Sequence, residues 1–455
     1  MKKIFSLTLC LACCTVAVAQ KSFTLEQLLD SARQNNITLR IAQRSIDAAQ
    51  QQRKEAFTKY FPSVSGMGAW FNADKGMARM DVNPSEVVPQ ELTASLAASL
   101  PTEALAALAN PVSMTMMKNG AIAGVSAVQP VFAGGQIING NKLAKVGEEA
   151  SRLQYQLSEN EVEKTTEQYY WQIISLQEKL KTIEAVEALL GDIHKDVDVA
   201  VRAGVAMRND LLQVQLRQND TESRKLKVQN GLSIVKMLMA QYCGLRDTAF
   251  VLSADMTTIE ALPARQDPEQ ALPATAEYQL LTKQIEAAKL QKSMAVGQNL
   301  PTVAVGAGYN YHNLLDNDRT FGMVFATVSI PISDWWGGSH AIKRKKTEYQ
   351  KTIDERQDKA ELLMIHIQNA WNNVVESLQQ LDIAQRSIEQ AEENLRLNRD
   401  YYRAGTSRMS DLLEAQLLCQ QAHDSRTDAY ADYQNRLLEY RQALGHNRKG
   451  EKLKN

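Results

Sequence analysis

Two rhythms of apolar residues run through this chain, and each of them occurs twice. After Pro301, Val303, Val305, Ala307, Tyr309 and Tyr311 alternate with Thr302, Ala304, Gly306, Gly308 and Asn310. A period of two predicts a strand with one apolar face and one small or polar face. Phe321 to Ile332 predicts its partner, across a polar loop through Asp316, Asn317 and Asp318. A corresponding pair is expected at Ser63–Phe71 and Ala121–Phe132, separated by a long insertion in which Leu92 to Lys118 is compatible with a short helix. The second rhythm has 3-4 spacing: Ile173, Leu176, Leu180, Ile183, Val186, Leu190, Ile193 and Val197, inside a proline-free stretch from Ile137 to Arg202. Trp371, Val374, Leu378, Leu381, Ile388 and Leu395 repeat it, with Gln385 and Glu392 in two further heptad positions. These are coiled-coil seams. About 65 residues at ~1.5 Å each give a helix of roughly 100 Å, far beyond the ~11–12 residues of an ordinary one.

The elements fall into two copies. Arg202-Ala203-Gly204, Asp210-Leu211-Leu212 and Gln215-Leu216 reappear as Arg403-Ala404-Gly405, Asp411-Leu412-Leu413 and Gln416-Leu417, all at an offset of 201. Pro130 and Pro331, and Gly244 and Gly445, keep that offset; Trp171 and Trp371 fall one residue short of it. Upstream, Ile46-Asp47-Ala48-Ala49 matches Ile285-Glu286-Ala287-Ala288, and Pro62 matches Pro301, at 239. The difference of 38 is the insertion in the first copy. Each copy then reads as helix, two strands and a long helical hairpin. The opening helices run from Leu25 to Tyr60 and from Pro268 to Asn299, ending before Pro62 and Pro301. Gly204 and Gly405 stop the long helices by permitting a left-handed cap, and return helices end at Cys243-Gly244 and Leu444-Gly445. The expected divisions are a leader at 1–19, a first repeat at 20–245 (inserted loop 72–120, tip near 202–210), and a connector at 246–267. A second repeat follows at 268–446 (tip near 403–411), then a basic polar tail at 447–455.

Composition narrows the class. Lys and Arg number 51 against 52 Asp and Glu, a balance that excludes a general nucleic-acid binder. Mean hydropathy is −0.33, and no apolar run after the leader reaches the ~18 residues of a spanning helix. Lys2 and Lys3, the apolar stretch Ile4 to Val16, and Ala17-Val18-Ala19 form an export signal. The residues before Cys10, Cys13 and Cys14 fit a lipid-attachment motif poorly, so cleavage after Ala19 is expected. Cys243 and Cys419 remain, as small buried hydrophobes rather than a disulfide.

Four strands cannot span a membrane alone, because open edges leave backbone groups unsatisfied in lipid. Several chains can pool them into a closed barrel. The arrangement resembles the TolC-like outer-membrane efflux proteins. The likeness rests on Asn36-Ile37-Thr38-Leu39, Ile46-Asp47-Ala48-Ala49, Phe61-Pro62-Ser63-Val64 and, above all, the paired R-A-G…D-L-L tips. The resemblance implies a mainly α fold with a trimeric twelve-stranded transmembrane β-barrel continuous with a periplasmic α-barrel of twelve helices. It also implies an exit duct for efflux or type I secretion, docking a periplasmic adaptor and an inner-membrane RND or ABC transporter. The duct would sit in the cell outer membrane, in contact with its lipid, with no cofactor.

The tips are where the resemblance places the periplasmic entrance. Asp411 and Glu414, three apart on one helix, would stack acidic rings in a trimer. Tyr402 fits the family's gate tyrosine and Asp210 its acidic partner; Ser407 stands where the pattern has an arginine, with Arg408 one residue on. Asp210 and Asp411 also suit a plain capping role. Arg202 and Arg403, beside Gly204 and Gly405, are either adaptor contacts or cations satisfying helix carbonyls. Trp335, Trp336 and Tyr309 are expected to anchor the barrel at a lipid interface. Enzyme chemistry has no foothold: Gly135 to Lys142 misses a phosphate-binding loop by one residue, the six histidines lack metal spacing, and no G-x-S-x-G turn occurs. A periplasmic adaptor would show one hairpin flanked by small β-domains, and a secreted coiled-coil protein would not explain the paired strands.

Overall fold

The computed structural model describes residues 21–83, 101, 111–314, 318–332 and 334–446. The expected leader and the tail at 447–455 lie outside the described residues, as does most of the segment considered for a short helix. Its described end, Val112–Met116, is a strand. In chain order the elements are β1 (Lys21–Phe23), α1 (Leu25–Asn35), α2 (Ile37–Thr58), β2 (Ser63–Asn72), β3 (Ala78–Val82), β4 (Val112–Met116) and β5 (Asn119–Ala133). Then follow α3 (Gln136–Arg202), α4 (Arg208–Cys243), β6 (Phe250–Leu252), α5 (Pro268–Ala271), α6 (Ala276–Gly297), β7 (Thr302–Asn313), β8 (Arg319–Ser329), α7 (Asp334–Arg403) and α8 (Met409–Ala443). The chain divides into a unit within residues 1–50, 147–286 and 351–455 and a second within 51–146 and 287–350.

The second unit is built on one antiparallel sheet of four strands, in the order β2-β5-β7-β8, so both repeats contribute to it. Direct cross-strand partners share a face. Val64, Ala127, Ala307 and Val324 form one such row, and Gly66, Val125, Tyr309 and Gly322 the next. This face is apolar and exposed, with Val64, Trp70 and Val324 each more than 70% accessible. The opposite face carries Ser65 and Ser126, whose hydroxyls are 3.3 Å apart, and the row Gly124–Asn310. The alternation expected for Val303 to Tyr311 holds in β7, whereas β8 places Phe321, Met323 and Phe325, and β2 places Met67, on the opposite face. Among the described residues β2 and β8 are the edges, each paired on one side only. Within the insertion, β3 and β4 form a separate two-stranded antiparallel ladder. Among the described residues no helix is long and apolar enough to cross a membrane.

The first unit is helical, and the predicted seams are its core. Ile173, Ile183, Leu190 and Val197 are buried along α3, Val374 and Leu381 along α7. Gln385 and Glu392 instead face α8, where Gln385 accepts from Arg426 at 2.9 Å and Glu392 pairs with His423 at 3.1 Å. One expectation fails: the opening helices are not continuous. In the first repeat the chain breaks at Asn36, whose Oδ1 accepts from Thr38 N at 2.8 Å and whose Nδ2 donates to Tyr242 O at 3.1 Å. The second repeat breaks at Thr275, 239 positions on, where Oγ1 accepts from Tyr278 N at 3.3 Å. A buried side chain that restarts the backbone ladder competes with helix continuation, and here it wins twice. Asn36→Ala removes both bonds and leaves two part-buried backbone partners unmet. Thermal unfolding of the purified protein is expected to show a loss of about 1–3 kcal/mol; unchanged stability would make the break incidental.

The connector is more ordered than its proline content suggests. Its β6 pairs in parallel with β1, Phe23 opposite Leu252. Beyond it an irregular strip lies on tyrosines from the hairpins: Tyr170 Oη donates to Ser253 O at 2.9 Å, Tyr430 to Thr258 O at 2.9 Å and Tyr433 to Glu260 O at 2.7 Å. Gln266 N donates to Tyr440 Oη at 3.0 Å. Backbone groups without secondary structure need such partners when covered.

Candidate functional site: the helix tips

At the end of α3, Gly204 adopts φ +75°, and at the end of α7, Gly405 adopts φ +71°. Each turn carries the same pair of bonds. Gly204 N donates to Val201 O and Val205 N to Ala200 O, both at 3.0 Å; Gly405 N donates to Tyr402 O at 3.0 Å and Thr406 N to Tyr401 O at 2.9 Å. This reciprocal closure caps the last carbonyls of a helix and requires the left-handed conformation that glycine adopts without penalty. The chain then re-enters a helix, and the two predicted acids serve that start. Asp210 accepts from Met207 N at 3.2 Å. Asp411 accepts from Arg408 N and Ser407 Oγ, both at 3.2 Å, and from Ser410 Oγ at 3.1 Å.

The two tips come together over a small apolar knot of Ile193, Val197, Val214, Met409 and Leu412. Beside it lies a cleft of about 540 Å³ lined by Asp196, Asp210, Arg399, Tyr402, Arg403 and Ser407 among others. Tyr402 is half-buried, packs on the knot and faces Asp210 and Asp196; burial first, then those carboxylates, push its hydroxyl above the usual phenol range. Of the sequence-derived candidates, the fold thus gathers Tyr402, Asp210, Arg403 and Gly405 into one cleft. Asp411 turns to its own helix start, and Glu414 is exposed one turn on. Arg202 pairs with Asp198, one turn back on its own helix, at 2.5 Å.

Two cleft residues were missed by reading the sequence, Asp196 and Arg399. Arg399 stands three residues before Tyr402, so helical spacing alone puts it on the same face. Away from the cleft, Arg217 joins the hairpins by donating from Nε to Gln416 Oε1 at 3.1 Å.

The backbone and hydroxyl bonds to Asp411 hold its carboxyl below the usual carboxylate range. A depressed folded value contributes stability above the unfolded carboxylate range, and this is lost as pH falls through the folded value. Amide exchange at Arg408 to Asp411 is therefore expected to stay slow at neutral pH and quicken only in strong acid. In Asp411→Asn the exchange would be fast at every pH.

A model of the outer membrane efflux protein family matches residues 268–446. The offsets of 201 and 239 carry the same elements into the first repeat, which builds the same sheet and the same tip. Over nearly the whole chain the fold is that of known outer-membrane channels. VceC of Vibrio cholerae is 15% identical, with 93% of this chain and 96% of that one covered at a TM-score of 0.73. CusC is 15% identical over 93% and 92% at 0.77. The open state of the MtrE channel of Neisseria gonorrhoeae is 15% identical over 93% and 89% at 0.72. No curated protein sequence matches the chain.

The family match is confined to residues 268–446, and the solved channels share the fold of nearly the whole chain. Neither competing reading, adaptor or coiled-coil scaffold, accounts for a single sheet built jointly by both repeats. Tyr309 lies on the apolar sheet face and is 62% exposed. Trp335 and Trp336 open α7 and are also exposed; the Trp335 indole donates to Asn299 O at 3.2 Å. Where each strand runs into a long helix the backbone is tightly pinned in the first repeat: Gly134, at φ +58°, lies so close to Gly297 that an added Cβ would sit 2.1 Å from its carbonyl oxygen.

Proposed function

We propose that three copies of this chain assemble into one duct. Each supplies four strands to a closed twelve-stranded barrel in the outer membrane and two helical hairpins to a tunnel in the periplasm. The observation that carries the reading is the open sheet: an exposed apolar face through Val64, Trp70, Tyr309 and Val324, and two edges unpaired among the described residues. In lipid each unpaired edge would leave a row of backbone groups unsatisfied, and pairing β8 of one copy with β2 of the next removes both edges.

The helix tips then form the entrance. Tyr402 between the acids of the neighbouring tip, and the apolar knot beneath it, hold the hairpins together in the closed state. A periplasmic adaptor docks on the exposed outer side of the tips, at Arg202 and Arg403, and draws the hairpins apart. An inner-membrane transporter loads the duct and chooses the cargo. Asp411 and Glu414 give the entrance its negative charge, favouring cations. In planar bilayers the reconstituted protein is expected to carry a small cation-selective current that divalent cations block. Asp411→Ala would weaken the block. An insulating protein would contradict the reading, and unchanged block would confine Asp411 to its capping role.

A further inference from the structure

The helix ends that flank the four-stranded sheet carry a charge imbalance that the whole chain does not share. Residues 51–60, 134–146, 287–300 and 334–350 hold eleven Lys or Arg and three Asp or Glu, against 51 and 52 overall. The two helices that leave the sheet place cations at repeat-equivalent positions, Lys142 and Lys145 in α3 and Lys343 and Lys346 in α7. All four are exposed, and so is Arg344.

On both helices these cations follow an exposed apolar side chain nearer the strands. Lys343 is seven residues after Trp336, and Lys142 and Lys145 are four and seven after Ile138, so each shares its partner's helix face. Trp336 is 79% exposed and Ile138 52%. The arriving helices repeat the order, with Lys54 before Phe57 on α2 and Lys289 before Val296 on α6. A water-filled lumen does not favour an exposed tryptophan or phenylalanine, whereas a membrane interface does. Seven residues span roughly 10 Å of helix axis. Side chains on α3 and α7 tilt back toward the helix start, hence toward the strands, and lysine extends further along an apolar surface. That brings the ammonium groups into the polar layer, about 5–8 Å deep, that borders the hydrocarbon.

We propose that this basic collar binds the phosphate groups of anionic phospholipids in the leaflet adjoining the helices, and so fixes the depth at which the barrel sits. The proposal rests on reading the sheet as part of a membrane barrel. Clustered Lys and Arg beside a spanning segment attract anionic headgroups, each contributing additively and each screened by salt.

The test reconstitutes the full-length protein in bilayers of mixed phosphatidylethanolamine and phosphatidylglycerol and quantifies the lipid that stays with the trimer on re-extraction. The expected result is a several-fold enrichment of phosphatidylglycerol. It disappears in the variant K142Q/K145Q/K343Q/R344Q/K346Q, and for the wild type it disappears at about 1 M salt. A wild-type trimer with no enrichment, or with enrichment insensitive to salt, overturns the proposal and leaves the channel standing; a wild type that forms no trimer overturns the channel reading itself. The wild-type salt titration carries the test if the variant fails to assemble. A variant that keeps its phosphatidylglycerol but no longer binds purified peptidoglycan would assign the collar to the cell wall, against the proposal.

Discussion

Gly134→Val is expected to abolish the assembled protein in the outer membrane. Two independent penalties meet at this residue. Its φ of +58° is a conformation that β-branched side chains rarely adopt. Its Cβ would also lie 2.1 Å from the carbonyl oxygen of Gly297 and 2.8 Å from the carbonyl carbon. Both obstacles are backbone, so no change of rotamer relieves them. The contact is reciprocal, since a Cβ at Gly297 would meet Gly134 O at 2.2 Å. Together strain and overlap cost about 3 kcal/mol or more, upwards of a hundred-fold in a folding equilibrium. The strand and helix ends of the two repeats would have to part. Gly191→Ala is the control: nothing lies within 4 Å of its added Cβ, and a helix gains from the exchange. Outer-membrane fractions should contain trimer for Gly191→Ala and almost none for Gly134→Val. Normal assembly of Gly134→Val would mean that the two repeats do not meet at this turn.

The second large effect is expected at the tip. Tyr402→Ala removes a half-buried ring from the apolar knot, against which Leu395 and Leu413 also pack. Deleting an aromatic side chain from such a contact costs about 2 kcal/mol, toward the low end of core truncations because the ring is partly exposed. If the knot holds the hairpins together at rest, that loss shifts the tips toward separation and raises the resting current several-fold in planar bilayers. Tyr402→Phe keeps the ring and removes only the hydroxyl that faces Asp210 and Asp196, so its current should stay close to wild type. An alanine variant with wild-type current would remove Tyr402 from the closing device; equal opening by both variants would move the effect from packing to the hydroxyl.

Much of this was legible in the sequence because strands and long helices advertise themselves by period. Val303 to Tyr311 alternates so cleanly that the exposed face could be named in advance, and the seam from Ile173 to Val197 is buried much as its spacing implies. The duplicated R-A-G…D-L-L motif located both tips to the residue. Reading failed where a single side chain or a distant partner decides. Asn36 and Thr275 break their helices through one capping bond each at equivalent positions, a signal visible only once the repeats are aligned at 239. The β1–β6 pair is three residues long, too short for any periodicity, and is fixed by the core around Phe23 and Phe250. Gly134 and Gly297 are 163 positions apart, and nothing local reveals that their backbones touch. At the tip, the acids could be read either as gate or as cap. The hydrogen bonds give both a capping role, and the cleft adds for Asp210 a place beside Tyr402.

The central claim is that one chain's four strands close only with those of its copies. The most direct test is the mass of the native particle extracted in mild detergent from outer membranes. The account predicts three chains per particle, stable until heated or unfolded. A single chain in that membrane, or a soluble monomer outside it, would contradict it.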